Sequence, residues 1–149
     1  MLSTDQQTTL HALMDRIIPP DEDPGAWEAG VGDYLARQFE GDLRGSLALY
    51  RAGLDALEAE AQASGPVSGP AGGVTRFAAL PALEQDALLK RIEAGQVVHT
   101  WPVDPAGFFQ TVVQHVNEGF YSDPGNGGNR DAVAWRMIGY VPRGPEGAR

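Results

Sequence analysis

The side chains of this sequence that could do chemistry are few and scattered. Its histidines are His11, His99 and His115, and it has no cysteine, which removes disulfides, thiolate metal sites and a thiolate nucleophile. His11 flanks the apolar stripe of a helix, and His99 precedes Trp101-Pro102. His115 falls near the end of a Phe-rich helix, where a cation suits the helix dipole. The helical pair that stands out for ligand-like spacing is His115 and Glu118. His-x-x-Glu is half of a carboxylate–histidine metal centre; the reciprocal Glu-x-x-His halves are missing, so no metal site is expected. Ser122 lies outside any nucleophile-elbow context, which disfavours a hydrolase triad. What remains for an enzyme or small-ligand binder is His115, Tyr121 and Asp123 meeting in a pocket. Tyr121 and Tyr140 could serve as acid or base in principle, but no residue near them in sequence tunes either phenol, and no catalytic residue is assigned.

The densest signal is the run from Glu118 to Tyr140, rich in glycine and aromatics and without a helical or strand period over its first half. Gly125-Asn-Gly-Gly-Asn129 fails as a phosphate cradle, since neither a P-loop lysine nor a dinucleotide fingerprint after a strand accompanies it. Asp123-Pro124 favours a turn, and Gly125, Gly127 and Gly128 tolerate positive φ. Asn126 and Asn129 can bond back to the local backbone, and Asn129 can cap a following helix. Gly119, Pro124, Gly125, Gly127 and Gly128 are therefore the loop-shaping set. Phe120, Tyr121, Trp135 and Tyr140 either clamp that loop to the body or face a partner. Beside Arg130 and Arg136 they are residue types that dominate interface hot spots.

The elements that must position these residues are helices. Ser3 or Thr4 begins the first, with Leu10, Leu13, Met14 and Ile17 on one face and Pro19-Pro20 as the stop. A second is expected over about 27–40, with Val31, Tyr34, Leu35 and Phe39 inward and an irregular first turn at Gly30 and Gly32. A third covers about 43–63, with Leu47, Tyr50, Leu54 and Leu57 on one face. A fourth starts at Pro81 and runs through Leu83, Leu88, Leu89 and Ile92 to Gly95. Gln96–Pro102 reads as a short extended piece. Asp104-Pro105 opens the most apolar helix, through Phe108, Phe109, Val112, Val113 and Val116. A short sixth is expected over 130–138. The fold class is all-α: five to six helices, a long Gly/Pro loop and an extended aromatic–glycine C-terminal loop.

At 149 residues the chain fits one domain and can bury roughly two thirds of its unfolded surface. Ser64 to Gly73 is a linker by composition. A domain boundary there would leave two marginal bundles, so one helical domain with a flexible loop over about 64–75 is the expectation. The net charge of −9 disfavours nucleic acid as a partner. Residues 1–60 hold twelve Asp or Glu against four Arg, a net of −8; residues 61–149 hold eight against seven Lys or Arg, a net of −1. The near-neutral half is thus where a contact surface is expected, although surface acids also serve solubility. No stretch is long and apolar enough to span a bilayer. The first residues lack a basic region, an apolar core and twin arginines, giving the expectation of a cytoplasmic protein, periplasmic only if processed or carried by a partner.

Gly119-Phe-Tyr-Ser-Asp-Pro124, Gly127-Gly-Asn129, Trp135 and Gly139-Tyr140 together resemble the closing motif of the gluconate 2-dehydrogenase subunit 3 family. Ile17-Ile-Pro19 followed by an acidic turn resembles the family opening, as does Phe108-Phe109 before the motif. The likeness spans most of the chain and is most specific over 119–140. Asn126 stands where an aromatic is common, Ala134 where a glycine usually precedes the tryptophan, and Val141 separates Tyr140 from Pro142. The resemblance implies a non-catalytic small subunit in a hetero-oligomer. Its partner would be a large FAD-dependent oxidoreductase of the glucose–methanol–choline type acting on sugars or their derivatives. The flavin would lie in that partner, with no cofactor in this chain. Phe120, Tyr121, Asp123, Asn129, Arg130, Trp135, Arg136 and Tyr140 would be the contact set. A transient chaperone for the flavoprotein is the neighbouring reading.

Overall fold

The structure, a computed structural model, describes residues 1–64 and 76–141. The expected Gly/Pro loop lies outside the described residues except for Ser64, which ends a helix. The chain forms α1 (Thr4–Ile17), α2 (Val31–Phe39), α3 (Leu47–Ser64), α4 (Ala82–Glu93), α5 (Pro105–Phe120) and α6 (Val133–Ile138), with no strand among the described residues. The all-α expectation holds.

Caps set the boundaries. Ser3 and Gln6 form a reciprocal capping box at the start of α1, worth about 1 kcal/mol. The helix stops before Pro19, with Ile18 already out of the helical region at φ −130° and ψ 89°, as a following proline disfavours helix there. Asp104 accepts from the Gly107 amide and opens α5 with Pro105 at its first position. Helix α2 starts four residues later than expected: Gly30 sits at φ 88° and breaks the turn that Trp27 begins. A 3-10 turn over Arg44–Ser46 likewise replaces the expected first turn of α3.

One core joins all six helices. Leu10, Leu13 and Met14 of α1 meet Tyr34 and Leu35 of α2, Tyr50, Leu54 and Leu57 of α3, and Ile92 of α4. Phe108, Val112, Val116 and Phe120 of α5 fill its centre, and Val133 and Ala134 of α6 close one end. The expected inward faces are largely those observed. Leu83 is the exception: it lies on the outer side of the first turn of α4 and is 83% exposed.

The Gln96–Pro102 segment is not a strand. It is strapped to α3 by Glu60, whose side chain is 1% exposed. That carboxylate accepts from the Val98 amide at 2.7 Å, the His99 amide at 3.4 Å and the Trp101 indole Nε1 at 3.0 Å. The His99 ring stands 3.5 Å from it. Trp101 is thereby set against Phe108 at the head of α5.

Candidate functional site

The C-terminal loop is built from the end of α5 outward. Gly119, in the last turn of α5, lies against the ring of Tyr34; a Cβ there would come within 2.6 Å of the ring. Gly128 is buried against the Gly119 carbonyl, where no Cβ fits. Asp123 accepts from the Gly125 amide at 2.8 Å and starts a 3-10 turn over Pro124–Asn126. Gly127, at φ 100°, reverses the chain against α2. Arg37 of α2 donates to the Gly125 carbonyl at 3.0 Å, the Arg130 amide donates to the Ala29 carbonyl at 2.8 Å, and Arg130 pairs with Asp33 at 2.9 Å. The loop is thus stitched to α2 and to the turn that precedes it.

Close approach at Gly119 makes a quantitative prediction. Alanine would gain up to about 1 kcal/mol in helix propensity, but overpacking against a mostly buried ring costs about 1–3 kcal/mol. Gly119→Ala is expected to lower stability by about 1–2 kcal/mol in denaturant melts. A neutral or raised midpoint would mean that Tyr34 swings aside freely.

Asn129 is the internal joint. It is fully buried; its Nδ2 donates to the Ser122 carbonyl at 2.8 Å and its Oδ1 accepts from the Ala134 amide at 2.8 Å. It precedes a 3-10 turn over Arg130–Ala132 in an αL conformation that asparagine tolerates, and its Oδ1 serves a first-turn amide of α6 although Ala132 holds the N-cap position. Asp131 and Ala132 also take positive φ, 56° and 55°. Of the three loop glycines that tolerate positive φ, Gly127 alone adopts it. A non-glycine αL residue costs about 1–2 kcal/mol, so the surrounding bonds must over-determine this backbone.

The consequence is an outward apolar surface. Trp135 is half-buried, donates Nε1–H to the Tyr121 carbonyl at 3.0 Å and meets Tyr140 edge-on at 5.1 Å. Around them Tyr121, Met137, Ile138 (60%), Tyr140 (51%) and Val141 are exposed. Arg136 is exposed beside them and donates to the Asp131 carbonyl. The expected contact set therefore divides. Phe120 and Asn129 are corrected to internal residues, since burial leaves neither on the surface. Asp123 and Arg130 are engaged in holding the loop, while Tyr121, Trp135, Arg136 and Tyr140 face outward with Met137, Ile138 and Val141. Sequence reasoning missed those last three because an apolar pair in a short helix reads as core by default.

The three residues of the alternative pocket differ in setting: Tyr121 and Asp123 are exposed, whereas His115 is in the interior. His115 is buried beside Tyr50, whose hydroxyl lies 3.0 Å from Nδ1 with the rings stacked at 5.8 Å. Burial pushes the Tyr50 phenol up, reinforced by Glu118 and Tyr34, so it stays protonated and donates. Burial pushes the His115 ring down, partly opposed by Glu118, so it accepts as the neutral ring. Neither the groove between α1 and α2 nor the cleft beside α4 is lined by His115, Tyr121 or Asp123. Another helical His–carboxylate pair, His11 and Asp15 at 3.4 Å, escaped the spacing argument. It joins no cluster of three metal-ligating groups among the described residues.

The depressed His115 pKa has a definite sign. The folded ring binds a proton less readily than the unfolded one, so unfolding takes up protons on acidification. Stability is expected to fall as pH drops from neutral through the ordinary histidine value of about 6.5, and thermal melts of wild type and His115→Gln across that interval test it. An equal pH slope in both proteins would remove His115 as the cause.

Four amides of the loop are already hydrogen-bonded. The Gly125 amide bonds Asp123 Oδ1, the Asn126 amide the Asp123 carbonyl, the Gly127 amide the Pro124 carbonyl, and the Arg130 amide the Ala29 carbonyl. The fold and this surface define a small helical protein that turns an apolar, aromatic loop outward from a tightly bonded base.

A family model described as Gluconate 2-dehydrogenase subunit 3 matches residues 4–142. The chain belongs to that family, as its closing motif led us to expect. The family is a subunit of a multi-subunit dehydrogenase, which implies a hetero-oligomeric partner. No curated protein and no solved structure matches the chain. No helix among the described residues is long and apolar enough to cross a membrane.

Proposed function

We propose that this chain is a non-catalytic accessory subunit that binds a large FAD-dependent oxidoreductase of the glucose–methanol–choline type. In this reading it stabilises or matures that enzyme, and the partner oxidises a sugar or sugar derivative. The observation that carries the reading is the outward set Tyr121, Met137, Ile138, Tyr140 and Val141 around Trp135. Clustered exposed aromatic and aliphatic side chains mark protein contact, and the bonded base beneath holds them in one arrangement, which lowers the entropic cost of binding. The family membership supports the existence of a partner, and its flavin chemistry is part of the proposal. In this proposal the flavin belongs to the partner.

Affinity capture of the full chain from its native host, with masses and a visible spectrum, tests this. Co-elution with a much larger subunit showing flavin absorbance is the expected result. A colourless chain eluting alone would contradict a lasting complex, and transient association seen only during maturation would favour the chaperone reading.

A further inference from the structure

Asn126 takes no part in the partner surface. It is exposed at the end of the 3-10 turn over Pro124–Asn126, directly before Gly127. The turn makes that glycine necessary: Gly127 stands at φ 100°, a region that residues with a Cβ rarely adopt. Asparagine is a thermally labile residue, and the amide nitrogen of the residue after it is its nearest attacker. A Cβ on that residue crowds the approach, and glycine has none. The other two asparagines are placed differently. Asn117 lies within α5 before Glu118, and Asn129 is fully buried before Arg130 with both ends of its carboxamide bonded. Asn126 alone combines exposure with a following glycine.

Attack needs the Gly127 amide free and the Asn126 carboxamide turned toward it. The amide is held by a bond to the Pro124 carbonyl at 3.2 Å, the long limit for N–H···O, in a single surface turn. Surface turns of this kind open at a small cost in free energy.

We propose that Asn126–Gly127 is a deamidation site, and that its isoaspartyl product unseats the C-terminal loop from α2. The Gly127 nitrogen gives its proton to base and bonds Cγ of Asn126. The bond from Cγ to the carboxamide nitrogen breaks, ammonia leaves, and a cyclic succinimide closes. Water then adds to one of the two ring carbonyls. Opening at one gives aspartate; opening at the other gives isoaspartate, with the chain running through the side-chain carbon. The net change is carboxamide and water to carboxylate and ammonia, with no oxidant or reductant. Isoaspartate lengthens the backbone by a methylene, and the loop has no slack to take it. The Gly127 carbonyl lies so close to Gly30 that no Cβ fits there, and Gly128 is pressed against the Gly119 carbonyl in the same way. Just beyond them the Arg130 amide reaches the Ala29 carbonyl at 2.8 Å. Displacing the chain by a bond length breaks that seat.

The test ages the full chain in mildly alkaline buffer and follows it by peptide mass, with isoaspartate measured by enzymatic methylation of its freed α-carboxylate. Conversion at Asn126 is expected to be at least about tenfold faster than at Asn117 or Asn129, and absent from Asn126→Gln. In the isoaspartyl fraction, amide exchange at Arg130 is expected to rise by about tenfold or more, with NMR shifts at Ala29 and Gly128. Asn126→Asp adds the charge without the methylene and is expected to keep wild-type exchange at Arg130. Conversion at Asn126 no faster than at the other asparagines, or only after denaturant unfolds the chain, would overturn the site. An isoaspartyl fraction that behaves like Asn126→Asp would overturn the unseating. Every readout uses the free chain, so the result stands apart from the partner reading.

Discussion

Glu60→Ala is expected to cost on the order of 2–4 kcal/mol, because it strands three part-buried donors at once and empties a buried position. The Val98 and His99 amides and the Trp101 indole all aim at one carboxylate that is itself out of water. Each donor left unpaired costs about 1–3 kcal/mol, and the methylene packing lost at a buried position adds to this. Glu60→Gln is nearly isosteric yet keeps a single acceptor oxygen and turns an NH₂ toward other donors, so it is expected to recover little. Thermal melts should show a loss of roughly 10 °C for alanine. A change below about 1 kcal/mol would show that the 96–102 segment re-forms its bonds with water.

Ile138→Asp is expected to weaken association with the partner subunit by about 2 kcal/mol or more, roughly thirtyfold, while leaving stability within about 0.5 kcal/mol of wild type. The reason is position: Ile138 is 60% exposed on the last turn of α6, so a carboxylate there is solvated in the free chain and desolvated only on binding. Trp135→Ala separates the same effects less cleanly. Its indole bonds the Tyr121 carbonyl and supports Tyr140, so its loss should reduce affinity and also loosen the loop. Affinity measured beside melting for both variants checks this. Wild-type affinity in Ile138→Asp would remove the α6 face from the interface.

Much of the body is legible in the sequence because its signals are local. Ser3, Asp104 and Pro105 start helices by chemistry confined to one turn, Pro19 stops one, and the apolar faces of α1, α2 and α3 follow a period of 3.6. Leu83 breaks that reading because the first turn of α4 is half free of the core, something decided by neighbours rather than by period. Glu60 is illegible for a similar reason: an alanine-rich helix bearing a glutamate reads as a solvated face until the segment 38 residues on folds over it. At the site, Gly127 and Asn129 announce the turn and the side-chain bond to α6. The positive φ of Ala132 has no sequence signal at all, yet that turn is part of what leads α6 out with Met137 and Ile138 facing away from the core.

Amide hydrogen exchange of the chain alone and in its captured complex would show whether the C-terminal loop is the face offered to a partner subunit. Added protection is expected at Tyr121 and across Trp135–Val141 in the complex, with α3 and α4 unchanged. Unaltered exchange over 119–141, with protection elsewhere on the chain, would contradict it.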